Sequence, residues 1–265
     1  MNFPDWMLLL QWGDAGWGDE MVRGMLMTLA VAMAAFLLGI VIGTMGAALK
    51  LSRYILLRFI GEAYTTLIRG VPDLLVIYLL FFGGSMALMT VARMFGYEDY
   101  IELDAFAIGT IALGTISGAY ATEVIRGAVL AVPKGQIEAA KACGMSRFLL
   151  FRRIMVPQVA RFALPGLGNV WQLTLKDTSL ISIVGLVEIM RQASVASGST
   201  QKPFTFYLAA GAPYLLMPAF SDQGVVLLDE TSFQLLVGTD GGFNSEEYRF
   251  QPNSGAVISS FSPRI

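Results

Sequence analysis

Five ionisable residues, Asp73, Glu123, Lys176, Asp177 and Glu188, stand inside or at the ends of stretches otherwise poor in charge. An ionisable side chain at membrane depth is costly, so it pairs, faces protein or water, or serves a charged ligand. Asp73, Glu123, Lys176, Asp177, Thr178 and Ser179 are therefore the candidate lining of a path for a charged solute. The competing reading is local: Glu123 with Arg126, and Lys176 with Asp177, neutralise one another or snorkel to headgroups. Bond-making chemistry has no comparable candidates. The chain has no histidine and one cysteine, Cys143, so a transition-metal site is not expected. There is no GxxxxGK[ST] loop to hold a phosphate, no metal or catalytic residue is expected, and the chain is read as not an enzyme.

The elements that must hold these charges are apolar. Of 265 residues 55% are hydrophobic and 14% charged, where soluble domains carry about a quarter charged residues. Charge-free windows cover 24–49, 74–92, 105–122 and 203–221. About 20 apolar residues cross the ~30 Å hydrocarbon layer as a helix, so each window is a candidate span. Spans are expected at about 24–49, 60–92, 105–125, 162–190 and from about Phe204 onward. The fold class is thus an all-α membrane protein with five transmembrane helices. Residues 1–22, with Trp6, Trp12 and Trp17, read as an interfacial, periplasmic lead-in. Its first charges are acidic, unlike a cleaved signal, so the first span is expected to stay in the mature protein. Gly39 and Gly43 form a small-xxx-small pair that lets a second helix approach closely. Ser194 to Lys202 read as a polar outer loop.

Charge places the loops. Lys50, Arg53 and Arg58 follow the first span, and Arg126, Lys134, Lys141, Arg147, Arg152, Arg153 and Arg161 surround a second connection. Connections rich in Lys and Arg stay in the cytoplasm, which leaves the acidic 96–104 connection and the N-terminus outside.

The second basic connection carries the most specific pattern in the chain. Glu138-Ala139-Ala140, Gly144, Ile154 and Pro157 follow the spacing EAA-x3-G-x9-I-x-x-P, with Val156 where leucine is usual. Ala139, Ala140, Cys143 and Gly144 put small side chains on adjacent turns, a surface able to seat in another protein's groove. Glu138 near the helix start suits the macrodipole, and Gly144 can end the helix. The bland alternative is a good helix former followed by a capping glycine.

This pattern resembles the cytoplasmic loop of bacterial ABC importer permeases. Residues 62–84, 117–145 and 151–188 are similar to permeases of the polar amino acid type that import histidine, lysine, arginine, ornithine or opines, and the resemblance covers roughly 20–225. It implies the ABC type I importer permease fold: an interfacial segment 1–22, a transmembrane domain 23–225 with a coupling loop at 127–160, and a coupling helix of Glu138, Ala139, Ala140 and Gly144. Gly135 and Gln136 would shape its entry, and Pro157 belongs to the same ATPase-coupling motif. It also implies a second permease subunit, two ATP-binding subunits that use the ATP, a periplasmic solute-binding protein, the bacterial inner membrane, and no nucleic acid. The implied cargo is a polar, basic amino acid or an opine, for which an anionic lining is suited. An ATP-independent carrier or channel, or a non-functional relic, are the alternatives.

The relic reading comes from residues 226–265. Family members end in a short basic tail, whereas 222–265 hold Asp222, Asp229, Glu230, Asp240, Glu246 and Glu247 against Arg249 and Arg264. An acidic inner tail contradicts the charge rule, and its polar composition argues for poor order after about 240. One codon choice for residues 228–233, read one base later, spells Trp-Thr-Arg-Arg-Arg, so a frameshift near 222–228 is a specific expectation that the nucleotide sequence tests.

Overall fold

The computed structural model describes residues 9–13, 16–96 and 104–217. The tail 226–265 and most of the acidic 96–104 connection lie outside them, as do much of the lead-in and the frameshift expectation. Among the described residues every regular element is a helix.

The first charge-free window becomes α1, Gly18–Lys50, ~50 Å long at 1.5 Å per residue. α2 covers Ile55–Gly70. α3 runs from Asp73 through a π turn at Leu79–Gly83 to Met94, and α4 is Ala105–Ala131, capped by the Asp104 carboxylate on the Ala107 N–H at 2.9 Å. α5 is Lys134–Ala142. α6 runs Arg147–Val184, and α7 is Ile189–Thr200, set at 50° to it. α8 occupies 203–217.

Two expected boundaries move. A span at about 60–92 is carried by Asp73–Val91 alone. Val71 is extended at φ −111°, ψ 143°, because the Pro72 ring disfavours a helical residue before it, so α2 is a separate helix. The polar loop at 194–202 is mostly helix α7: Ala193 and Ala196 bury against Met21 and Phe206. The Ser199 and Thr200 hydroxyls donate back to the Ala196 carbonyl. Among the described residues three helices are long and apolar enough to cross a membrane, Gly18–Lys50, Asp73–Val91 and Ala105–Ala131, or four if α6 and α7 form one bent span. The fifth expected span begins as α8 and is described through residue 217.

The core is the pair α1 and α4. A Cβ on Gly39 would lie 2.1 Å from Ser117 Oγ, on Gly43 2.6 Å from Ala121 Cβ, and on Gly46 2.3 Å from Thr122 Oγ1. The absence of side chains is what lets the two backbones approach, as the glycine spacing predicts. Positions rise together along this seam, so α1 and α4 run parallel. α6 runs the other way: Gly166 meets Val124 and Gly109 meets Ile181. Both basic connections, 51–54 and 132–146, therefore leave from the same end of the bundle.

Candidate functional site

The connection after α4 is short. Val132 and Pro133 are extended and α5 starts at Lys134, so Glu138 is its fifth residue rather than part of a first acidic turn. Gly144 closes the helix at φ +75°, a conformation that costs L residues. Its N–H reaches the Lys141 carbonyl at 3.0 Å, and the Met145 N–H reaches the Ala140 carbonyl at 3.1 Å, which satisfies the last carbonyls. Glu138, Ala139, Cys143 and Gly144 are exposed, while Ala140 is buried at 5%. The small-residue surface is thus offered outward except at Ala140, which turns into the chain's own packing. Gly135 is open to solvent. The Gln136 side-chain oxygen Oε1 accepts a hydrogen bond from Gln158 Nε2, tying the first turn of α5 to α6. In the sequence Gln158 carries no signal, being one glutamine in a basic segment.

Pro157 sits just past a π turn at Phe151–Met155, where the Val156 N–H reaches five residues back to Phe151. A helical proline clashes with the carbonyl four residues earlier, and the widened turn relieves that clash without breaking the helix. α6 therefore passes Pro157, and also Pro165, as one helix.

The intramembrane residues divide into three groups. Glu123 is paired: its Oε2 accepts from Arg126 at 2.9–3.0 Å, and its Oε1 meets Lys50 Nζ. Lys50 also holds Glu62 Oε2 at 3.0 Å and Thr65 Oγ1 at 2.9 Å, with only 4% of its side chain exposed. Beside them a cleft of about 460 Å³ is lined by Lys50, Glu62, Thr65, Thr66, Arg69, Gly70, Glu123 and Arg126. Lys50 reads in sequence as an ordinary cytoplasmic flank; its burial depends on Gly61, whose missing side chain leaves room 2.7 Å from the Lys50 stem.

Asp73 and Asp177 form the second group. They are half-buried, within electrostatic reach of each other and of Tyr120, and the Arg69 guanidinium lies 5.3 Å from the Tyr120 ring centroid. Lys176 and Asp177 make no ion pair within 4 Å, because successive helix residues diverge by about 100°. Among the described residues no Lys or Arg is bonded to Asp73 or Asp177, which stand as a pair of acidic groups in the bundle. The Ser179 hydroxyl donates to the Lys176 carbonyl of its own helix at 2.8 Å.

Thr178 belongs to a third group. It is buried, and its hydroxyl meets Tyr214 Oη at 3.2 Å. Tyr214 donates to Glu188 at 3.0 Å, Thr28 Oγ1 lies 3.3 Å from the same carboxylate, and the Arg191 N–H donates to it at 2.8 Å. Glu188 is fully buried and caps α7, joining α1, α6, α7 and α8. Thr178 is thereby a buried member of this network.

Comparison with known proteins agrees with this architecture. The chain is 60% identical over 219 residues to the nopaline transport system permease protein NocQ of Agrobacterium fabrum, covering 82% of this chain and 93% of that one. It is 45% identical over 220 residues to the histidine/lysine/arginine/ornithine transport system permease protein HisQ of Escherichia coli, covering 83% and 96%. The crystal structure of an amino acid ABC transporter with histidines superposes with a TM-score of 0.69 at 29% identity, over 81% of this chain and 95% of that one. An inward-facing MetNI methionine ABC transporter has the same fold at 16% identity and a TM-score of 0.63. Residues 35–232 match the family described as binding-protein-dependent transport system inner membrane component, and the chain belongs to that family.

Proposed function

We propose that this chain is one permease subunit of an ATP-driven importer of basic polar amino acids or opines, and that α5 docks on the ATPase. The observation that carries the reading is the geometry of α5: a closed helix with an exposed small-residue face, joined through a two-residue link to the most buried helix of the bundle. A push on α5 passes directly into α4 and, through Gln136 and Gln158, into α6. The ATP is used by two partner subunits, a second permease subunit completes the path, and a periplasmic binding protein delivers the solute. The N-terminus is periplasmic and α5 cytoplasmic, in the bacterial inner membrane. Asp73 and Asp177 are the groups suited to attract a cationic side chain.

The test is substrate-stimulated ATPase activity of the reconstituted assembly over lysine, arginine, histidine, octopine and nopaline. Stimulation by one or more of these, and its loss together with ATPase co-purification in Gly144→Val, is the expected result. Transport by this chain alone in ATP-free vesicles would refute it.

A further inference from the structure

Three helices meet at one side chain, and none of them is the coupling segment. Lys50 ends α1, Glu62 and Thr65 belong to α2, and Glu123 belongs to α4. An ammonium has three donors, and here three oxygen partners surround it with the side chain 4% exposed. A cation with 4% of its side chain exposed that loses one carboxylate is left with uncompensated charge, so the arrangement resists partial opening. Glu123 is held from its other side by Arg126. Eight residues, about 12 Å of helix, separate Glu123 from Ala131, and two residues beyond that α5 begins. The same clamp closes the Gly39, Gly43 and Gly46 seam at its end nearest α5. Packing stops the two backbones from separating; the ionic contact also stops them sliding, because a slide of one helix along the other would strip Lys50 of Glu123.

We propose that Lys50 is a positioning residue for energy coupling: it fastens α1, α2 and α4 into one body, so that displacement of α5 moves all three together. This rests on the reading of α5 as the ATPase-docking element. Without the fastening, α4 moves with α5 while α1 and α2 lag, and ATP is hydrolysed without a matching change in the path.

The test measures solute transported per ATP hydrolysed in the complete reconstituted assembly, normalised to assembled complex. Lys50→Met is expected to lower this ratio by about fivefold or more, the lower range of ordinary coupling between sites, with ATPase activity losing its dependence on the binding protein. Lys50→Arg, which keeps a cation, recovers most of the ratio, and the exposed control Arg58→Gln keeps the wild-type value. Where Lys50→Met assembles too poorly to measure, Glu123→Gln keeps shape and an acceptor while removing the charge, and the same uncoupling is expected. An unchanged ratio in the assembled Lys50→Met or Glu123→Gln complex overturns the proposal and leaves Lys50 a stability residue. A wild-type assembly without binding-protein-stimulated ATPase would instead defeat the underlying reading of α5.

Discussion

α4 and α3 are both long and apolar enough to cross a bilayer, yet 61% of the most apolar window of α4 is buried inside the fold and 11% of that of α3. The difference lies in side-chain size. α4 presents Gly109, Gly114, Ser117, Gly118, Ala119, Ala121 and Thr122 to its neighbours, whereas α3 exposes Leu75, Leu79, Phe82, Met86, Leu88 and Val91. Lipid is as apolar as leucine, so hydrophobicity gives helices no reason to pack together in a membrane; close backbone approach and interhelical polar contacts do. Hydropathy thus selects which segments enter the membrane, and small residues select which become the centre.

The comparison breaks hardest at the seam. Gly43→Leu drives a side chain into the Ala121 methyl and the backbone behind it and is expected to cost about 3 kcal/mol, seen as loss of the monodisperse detergent-solubilised protein. Glu188→Leu comes next, leaving the Tyr214 and Thr28 hydroxyls and the Arg191 N–H without their shared acceptor; about 2 kcal/mol of stability should go, read as a lowered Tm, with Glu188→Gln recovering part. Thr28→Val removes two interhelical hydrogen bonds, to the Glu188 carboxylate and from the Ile189 N–H, and should cost about 1 kcal/mol. Met86→Ala on α3, where Met86 is 75% exposed, should shift the isolated chain by less than about 0.5 kcal/mol. A larger Met86→Ala effect in the assembled transporter than in the isolated chain would sharpen the contrast, because it would show α3 facing protein there.

Much of this was legible in the residues. The charge-free windows gave α1 and α4, Gly39 and Gly43 marked the seam, and Gly144 marked the end of α5, because each rests on a local rule of length, size or backbone conformation. What stayed hidden depends on distant partners. Lys50 became buried only because Gly61 and Glu123, 11 and 73 positions away, leave room and charge for it. The contact that buries the Thr178 hydroxyl comes from Tyr214, 36 positions on. The helical course of 189–200 depends on Phe206 and Met21 covering its alanines. Pro157, read only as the end of the coupling motif, lies inside α6, where the π turn before it absorbs the disruption a proline brings.

The parallel course of α1 and α4 fixes a parity. A chain that finishes α1 at one face of the bundle and starts α4 at the opposite face must make an odd number of membrane traversals in between. Asp73–Val91 supplies one such traversal. α2, 16 residues and about 24 Å long, is then left without a crossing of its own. Its Lys50-bonded side stays with the bundle, while Ile55, Leu56, Phe59, Ile60 and Leu67 are exposed, so α2 acts as a return ramp at the end where the clamp sits.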